Sequence, residues 1–396
     1  MIDPVELLEE LVRIDSVNPA MGGPGEHEVV ARLVEILRGL GLEVRTPEVV
    51  DGRRNLIATL PGTSGAPTLL LEAHLDTVAM PEDGLAVGRT EERLVGRGSC
   101  DTKGSGAAMI AAMAELMGSD DERASVVFAG VADEEDRMLG SLALVDQLPA
   151  VDAAVIGEPT SLQPVRVHNG LARITIETHG RAAHTSRAHL GVNAISAAAR
   201  VVSALEERLL PQLKARAHPL AGPALLTPAV IHGGVAPNVV PDRCRLSVDR
   251  RLAPGENPDG ALAEIDDLLD ELRERGDRIT RKPPWVLLEA VETPADHPTV
   301  RLAEESVEAV LGRPVTAGGV PYGTDASNLS GVGGVPCVVL GPGSIDQAHT
   351  DDEWVPVGEV RQGAAIYAEM ARRFARRHAE GGQWDDRRLP HPRRRG

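Results

Sequence analysis

The sequence predicts an α/β protein, with a mixed and mostly parallel sheet flanked by helices and a ferredoxin-like α+β domain inserted into it. Short, almost continuous apolar runs alternate with helical segments as far as Glu158, which is typical of parallel strands covered on both faces. The middle of the chain, about 168–288, follows the order strand, helix, strand, strand, helix, strand. Because helix–strand alternation resumes after Pro294, the middle segment is an insertion.

The first part of the chain supplies most of the predicted parallel sheet. Apolar residues share one face of a helix over 4–14, and a second helix over 28–38 is closed by Gly39 and Gly41. An Ala- and Met-rich segment predicts a helix over 104–117. Apolar runs predict buried strands over 68–73, 125–131 and 153–156.

The insertion opens with an alternating run at 172–179, where Ile174 and Ile176 oppose Thr175 and Glu177, as in a half-exposed antiparallel strand. Its further predicted elements are a helix over 192–210 ended by Pro211, strands over 228–232 and 243–251, a helix over 259–274 and a strand over 277–286. The returning segment carries helices over 299–311 and 360–377 and a strand over 335–340.

These patterns predict a catalytic domain made of 1–167 and 289–378, interrupted by a second domain at 168–288. The last residues, 379–396, are rich in Arg and Pro and have no apolar face, which predicts a disordered tail. A basic tail that binds a partner is the alternative.

Composition indicates an intracellular enzyme. The chain has 396 residues and a formal net charge of -18, which argues against a nucleic-acid surface. Cys100, Cys244 and Cys337 are scattered and lack metal-binding spacing, so we expect a reducing compartment. The N-terminus has no basic signal-peptide region, and no apolar run is long enough to span a bilayer. We therefore expect a cytoplasmic protein that binds neither nucleic acid nor membrane.

Polar side chains follow the predicted buried strands at their carboxyl ends, the edge where open α/β sheets bind ligands. The set comprises two imidazoles and several carboxylates but no thiolate: His74, Asp76, Asp101, Glu134, Glu135, Glu158 and His349. Such a set suits zinc, cobalt or manganese at a hydrolytic site better than a closed structural zinc site.

Five motifs in a fixed order carry a resemblance to a known family. EAHLDTV, GRGSCDTKGSG, ADEED, GEPT and QAHTDDE resemble the dinuclear zinc hydrolases that include acetylornithine deacetylase, succinyl-diaminopimelate desuccinylase, aminoacylase and the glutamate-releasing carboxypeptidase. The resemblance covers nearly all of the chain except the tail. It implies a zinc-exopeptidase-like fold whose inserted domain serves as a lid and in dimerisation.

The resemblance also implies a pair of divalent metal ions, zinc or cobalt or else manganese. Its motifs assign His74, Asp101 and Glu158 to one ion. They assign Asp101, Glu135 and His349 to the other, so that Asp101 bridges the pair.

Three further residues receive catalytic roles from the resemblance. Asp76 would accept the other ring N–H of His74 and so fix its tautomer. Glu134 would be the general base. His184, in GRAAHTS, would reach the active site of a partner subunit and stabilise the oxyanion of the tetrahedral intermediate. This last role implies a homodimer joined through the inserted domain.

Substrate-binding positions follow in the same way. Asn238 in GGVAPNVVPD and Arg251 in VDRRLAPGE match positions that hold a substrate carboxylate, for which the planar guanidinium of Arg is suited. Arg250 is the neighbouring alternative to Arg251, which fits the D-x-R spacing better. Gly323 and Thr324 in YGTDAS resemble a loop that contacts the substrate.

The expected activity is hydrolysis of the amide bond of an N-acyl amino acid by a metal-activated water. Glu158 within GEPT resembles the deacetylase and desuccinylase branch. A metallo-exopeptidase of the same family, either a carboxypeptidase or a dipeptidase, is the alternative. A non-catalytic protein that binds a metal or metabolite on the same fold is a third interpretation, although Glu134 and all the ligand residues are present.

Overall fold

A computed structural model describes residues 2–63, 65–82 and 84–379, and these divide into two compact units. The first unit takes in the described residues up to Arg166, Thr293–Gly318 and those from Thr324 onward. The second unit comprises Val167–Glu292 and Gly319–Gly323. The segment Gly319–Gly323 was expected in the catalytic domain, so the second unit is larger than the predicted insertion. The predicted tail lies outside the described residues beyond Ala379, which ends the last helix.

The helices lie close to the predicted positions, and no described helix is long and apolar enough to cross a membrane. The α-helices are α1 Pro4–Val12, α2 His27–Gly39, α3 Lys103–Met117, α4 Leu139–Gln147, α5 Ala194–Ala204, α6 Leu210–Lys214, α7 Pro258–Glu274, α8 Pro298–Leu311 and α9 Val357–Ala379. Shorter turns of 3-10 helix occupy Pro19–Met21 and Thr185–Leu190, and π-helical turns occupy Leu205–Leu209 and Ser327–Val332.

Two main sheets carry the labelled strands: β1 Glu43–Arg45, β2 Leu56–Leu60, β3 Thr68–His74, β4 Ser125–Val131, β5 Ala153–Ile156, β6 Val165–His168, β7 Gly170–His179, β8 Leu225–Gly233, β9 Arg243–Leu252, β10 Arg278–Arg281, β11 Val286–Leu288, β12 Val291–Glu292 and β13 Cys337–Val339. Short pairs lie outside them: Glu48–Val50 with Arg53–Arg54, Ala217–His218 with Gly222–Pro223, and Gly88–Arg89 with Arg93–Val95 and Trp354–Pro356. Gly318–Val320 is a further short strand.

The sheet of the first unit has a parallel centre and antiparallel edges. Its order is β1-β2-β4-β3-β5-β13, followed by the start of β6 at Val165. Strands β4, β3, β5 and β13 are mutually parallel, whereas β1, β2 and β6 run antiparallel to their neighbours. These parallel strands are buried along almost their whole length. Their carboxyl ends therefore meet at one edge, where the predicted polar residues follow them.

Helix α3 is the central covering element of this unit, packed against α1, α9 and β3. It is buried almost all round, which its small Gly, Ala and Ser side chains permit by allowing close approach. Because α3 is held on several sides, the loop that enters it at Asp101 starts from a fixed point.

The second unit has the ferredoxin-like order predicted for it. Its antiparallel sheet runs β8-β9-β7-β10, with β11 pairing farther along β7. Helices α5 and α7 pack on one face and bury Ile174 and Ile176 of β7 together with Val201, Ile265 and Leu269.

Two predicted elements of the second unit were wrong at prolines. The helix expected to end before Pro211 continues to Lys214, because a π turn over Leu205–Leu209 precedes a new first helical turn in which Pro211 needs no N–H partner. The strand expected over 277–286 is split into β10 and β11, because Pro283 and Pro284 cannot donate to the ladder.

Candidate metal centre

The candidate site lies at the carboxyl edge of the parallel strands of the first unit. His74 is the last residue of β3, and Asp101 lies in the loop that leads into α3. The Nε2 atom of His74 is 2.8 Å from Oδ1 of Asp101, and Nε2 of His349 is 3.2 Å from Oδ2 of the same carboxylate. Asp101 thus lies between the two imidazoles, where a ligand shared by two metal ions would lie.

Glu135 lies beside His349 and closes the cluster. Its Oε2 and Oε1 atoms are 3.2 and 3.3 Å from Nε2 of His349. The backbone of His349 is left-handed, with φ of 60°, a conformation that is uncommon for residues other than glycine and clusters at functional sites. The His349 side chain is 52% exposed, so the cluster is open to solvent at this residue.

Two more glutamates act electrostatically on this cluster. Glu158 follows β5 and is buried, and both burial and the charge of Asp101 raise the pKa of its carboxyl well above the usual range. Glu134 retains some exposed surface, but the desolvation of its carboxyl and the charges of Asp325 and Glu135 raise its pKa well above the usual range.

Both imidazoles bind protons more strongly than an ordinary histidine. Burial lowers the pKa of His74, but the hydrogen bond and charge of Asp101 outweigh burial and raise it well above the usual range. Hydrogen bonds to Asp101 and Glu135 raise the pKa of His349 to about 10. A divalent cation bound here would displace these protons, as metal binding to such ligands does.

The donor set fits a metal ion. Ligand atoms of His74, Asp101 and Glu135 all lie within 4.8 Å of one another. Imidazole nitrogen and carboxylate oxygen are ligands that zinc, cobalt and manganese accept. Several carboxylates gathered away from water are unfavourable without a compensating charge, and a divalent cation supplies one.

Residues 70–373 match Peptidase family M20/M25/M40. The chain belongs to this family. An acetylornithine deacetylase from Vibrio cholerae is 34% identical over 364 residues, which cover 89% of this chain and 93% of that protein. The resemblance drawn from the five motifs is thereby confirmed.

Solved structures confirm the fold class. A tripeptidase from Staphylococcus aureus superposes with a TM-score of 0.78 at 23% identity, covering 94% of this chain and 98% of that one. A dinuclear metal-binding peptidase of the M20 family from Bacillus subtilis superposes with a TM-score of 0.67 at 16% identity, with the same coverage. Together, the family and the deacetylase relatives identify the chain as a metal-dependent amidohydrolase.

In this M20 chain the carboxylate of Asp76 has a different partner from the one predicted. The main-chain carbonyl oxygen of Asp76 lies 2.9 Å from Nδ1 of His74, whereas its carboxylate is 3.7 Å away. The carboxylate instead accepts the N–H groups of Glu134 at 3.0 Å and Glu135 at 3.1 Å. Asp76 therefore fixes the segment that bears both glutamates, and its carbonyl group fixes the ring of His74.

The second unit brings His184 and Asn238 together. The carbonyl of Asn238 accepts the N–H of Thr185 at 3.1 Å, and His184 forms a β-bridge with Val239. Both predicted residues are exposed. Ser186 contacts Nδ1 of His184 through its N–H and its hydroxyl, so Nε2 is the ring nitrogen outside this turn.

Burial separates the two neighbouring arginines of β9. Arg250 is fully buried and pairs with Glu256 at 2.7 Å, so its guanidinium has an internal partner. Arg251 keeps 28% of its side chain exposed and contacts Asp249 at 2.8 Å. Of the two, only Arg251 has part of its side chain exposed.

The loop predicted to contact the substrate is split between the units. Gly323 belongs to the second unit and Thr324 to the first. Thr324 is fully buried, and its hydroxyl accepts the N–H of Ala326 at 3.2 Å. This placement does not support a substrate contact through the Thr324 side chain.

Sequence reasoning missed a buried pair of acids beside the M20 centre. Glu72 is fully buried on β3, and burial followed by the charge of Asp325 raises its pKa well above the usual range. Asp325 is buried as well and accepts a hydrogen bond from Ser141. A charged residue within the apolar run TLLLEAH was the available signal for Glu72.

A buried polar network behind Asp76 was also missed. The amide nitrogen of Asn18 donates to Asp76 at 2.7 Å and to Asp133 at 3.2 Å. Arg53 pairs with Asp133 at 2.5 Å and also with Glu26. The SVNP loop that bears Asn18 has no periodic pattern, so the sequence offered no signal for this contact.

Proposed function

We propose that this chain hydrolyses the amide bond of an N-acyl amino acid, as a deacetylase or desuccinylase does, with Glu134 as general base. The observation that carries the proposal is the carboxylate of Asp101 held between His74 and His349, with Glu135 beside them. The acetylornithine deacetylases among its relatives support the acyl-amino-acid class.

The ligand proposal follows the five motifs. His74, Asp101 and Glu158 would hold one divalent ion, and Asp101, Glu135 and His349 the other, with zinc, cobalt or manganese as candidates. When bound, such ions polarise an acyl oxygen and make a water molecule acidic.

Two observations support Glu134 as the proton shuttle. It is adjacent in the chain to Glu135, and its N–H is held by Asp76, so the two glutamates can divide the roles of base and ligand. Glu134 would take a proton from the attacking water while the oxygen–carbon bond forms. When the carbon–nitrogen bond breaks, its electron pair passes to the nitrogen, and Glu134 returns the proton there.

Groups of the second unit would recognise the substrate. Arg251 would bind the carboxylate of the amino acid through its planar guanidinium, and Asn238 would donate an amide hydrogen bond to it. His184 would stabilise the oxyanion as a hydrogen-bond donor. Contacts at Gly323 and Thr324 rest on the resemblance alone.

A metallo-exopeptidase is the second candidate, since the solved neighbour from Staphylococcus aureus is a tripeptidase. The same residues would act on a peptide bond, so the ligand set does not separate the two activities. A protein that binds metal or metabolite without turnover is the third interpretation, and the presence of Glu134 argues against it.

We also propose a cytoplasmic location. The three cysteines are buried free thiols, in keeping with a reducing compartment.

We further propose a homodimer joined through the second unit. Strand β8 is an edge strand with Val230 and Ile231 about half exposed, at 46% and 51%. A groove of about 430 Å³ between α5 and β8 adds to this apolar surface.

Amine release from N-acetyl, N-formyl and N-succinyl amino acids and from simple dipeptides tests the activity. Chelated protein should be inactive, and restored zinc or cobalt should recover turnover of one acyl class. Preference for dipeptides would favour the exopeptidase, and metal binding without turnover of any substrate would contradict both activities.

A further inference from the structure

A carboxylate outside the ligand set holds the loop that carries Asp101. Glu353 is buried, with only 1% of its surface exposed. Its Oε1 accepts the N–H groups of Cys100 at 2.9 Å and Asp101 at 3.0 Å, and its Oε2 accepts the N–H of Gly98 at 3.0 Å. Hydrogen bonds from N–H groups to an ionised carboxylate are stronger than those between neutral groups.

A buried arginine completes the arrangement. Nη1 of Arg97 donates to Oε2 of Glu353 at 2.7 Å, and its Nε donates to the carbonyl of Ala79 at 3.1 Å. The main-chain carbonyl of Glu353 accepts the N–H of Gly96 at 3.0 Å. Both oxygens of Glu353 are thus used, and the partners of its carboxylate among the described residues all lie within the segment 97–101.

The same glutamate lies four residues after His349. Strand pairing of Trp354 with Val95 fixes the chain directly after it. Asp101 and His349 come from distant parts of the sequence, yet their ligand atoms must meet at 3.2 Å. Glu353 ties the main chain next to one ligand to the main chain next to the other.

We propose that Glu353 is a positioning residue of the metal centre, which holds the Asp101 loop at the distance from His349 that metal binding requires. This inference rests on the proposed metal centre. Replacing the carboxylate by an amide puts an NH2 group in the place of one carboxylate oxygen. The N–H groups that bonded to that oxygen then face a donor instead of an acceptor, so the loop loses part of the hydrogen bonding that holds it. The metal ligands themselves are untouched by such a change.

Metal affinity of Glu353→Gln is the first measurement. Metal-depleted protein is titrated with zinc in competition with a chelator, and the absorption bands of the cobalt-substituted protein are recorded. We expect affinity to fall by about 10- to 100-fold, the range found when partners of metal ligands are removed, and the cobalt bands to shift. Glu304→Gln is the matched control, because Glu304 also accepts a main-chain N–H in the first unit, that of Ala317 at 2.8 Å.

Glu353→Asp is the second variant. It keeps the negative charge but is one methylene shorter, so it should lose less metal affinity than Glu353→Gln. If the amide variant does not fold, Glu353→Asp still tests whether the carboxylate positions the Asp101 loop. Wild-type affinity and unshifted cobalt bands in a folded Glu353 variant would overturn the inference, even if that variant melted at a lower temperature. Wild-type protein that binds neither metal would instead overturn the proposed metal centre itself.

Discussion

Asp101 must remain ionised while it is enclosed by other groups. Burial raises the pKa of a carboxyl group, but hydrogen bonds from His349 and His74 outweigh burial and hold the pKa of Asp101 below its usual range. Its two oxygens contact different histidines, so each keeps a separate acceptor role. Asp101 can therefore accept hydrogen bonds from both histidines at once without a change of conformation.

The neighbouring glutamates of ADEED should separate cleanly by mutation. Glu134→Gln removes the proton acceptor but keeps the shape of the side chain and the hydrogen bond from the main-chain N–H of residue 134 to Asp76. We expect kcat to fall by about 10²- to 10⁴-fold, the range for general acid–base catalysis, with unchanged metal content. Turnover of the N-acyl substrate and elemental analysis of the purified protein measure these quantities.

Two variants in the same motif serve as controls. Asp136→Asn removes a neighbouring carboxylate with no proposed role and should keep wild-type kcat. Glu135→Gln should instead lower the metal content, because Glu135 contacts His349 within the cluster. Near-normal activity of Glu134→Gln would contradict the assignment of the base.

Among the structural elements, the loop after α1 supports the loops after β3 and β4. Asn18 donates from the first of these loops to Asp76 in the second and to Asp133 in the third. Asp76 in turn accepts the N–H groups of Glu134 and Glu135. A buried asparagine thus helps to place both glutamates without touching either.

Asn18→Ala should therefore lower activity through Asp76. We expect kcat/KM to fall about tenfold, the lower end for residues that support metal ligands indirectly. Asn18→Asp should be worse, because it places a third carboxylate beside Asp76 and Asp133 in a buried setting. Steady-state kinetics and the melting temperature of each variant are the measurements.

A buried polar residue elsewhere in the first unit provides the control. The hydroxyl of Thr293 donates to the carbonyl of Cys337 at 2.7 Å, and Thr293 is fully buried and has no contact with Asp76 among the described hydrogen bonds. Thr293→Ala should lower the melting temperature but leave kcat/KM close to wild type. Equal losses of activity in the Asn18 and Thr293 variants would show that only stability had changed.

Strands and helices were predictable where the apolar pattern is strong, but the residues at which they end were less predictable. Strand β4 and strand β5 match their predicted ranges because continuous apolar runs have no competing interpretation at that length. Pro211 misled the prediction because a proline ends a helix only if no new first turn can start there. That outcome depends on the π turn before it, which no local pattern reveals.

For the molecule as a whole, local patterns identify residues that follow strands, and long-range contacts decide their roles. The polar residues of the candidate cluster could be named because parallel strands bring their carboxyl ends to one edge. The partners of Asp76 and Glu353 could not, since the bond from Asp101 to Glu353 spans 252 positions of sequence. The acyl group also stays open, because the chain has only seven aromatic residues from which to read a pocket.

The proposed homodimer makes a prediction about mass in solution. Light scattering should give about twice the 41.9 kDa of one chain. Ile231→Glu places a charge on the exposed apolar edge of β8 and should give monomers. Leu142→Glu, which changes a leucine of the first unit that is exposed to a similar extent, should leave the dimer intact. A fully active wild-type monomer would contradict both the dimer and a role for His184 in trans.

Mixed dimers then test whether His184 serves the partner's active site. Glu134→Gln and His184→Ala homodimers should both have low activity, since each lacks one group at every site. If His184 acts in trans, a mixed dimer joins an intact Glu134 to an intact His184 at one of its two sites. Co-expression should then restore about a quarter of wild-type activity, because half of the randomly assembled dimers are mixed. If His184 acts within its own chain, every site in the mixture keeps a defect and activity stays low.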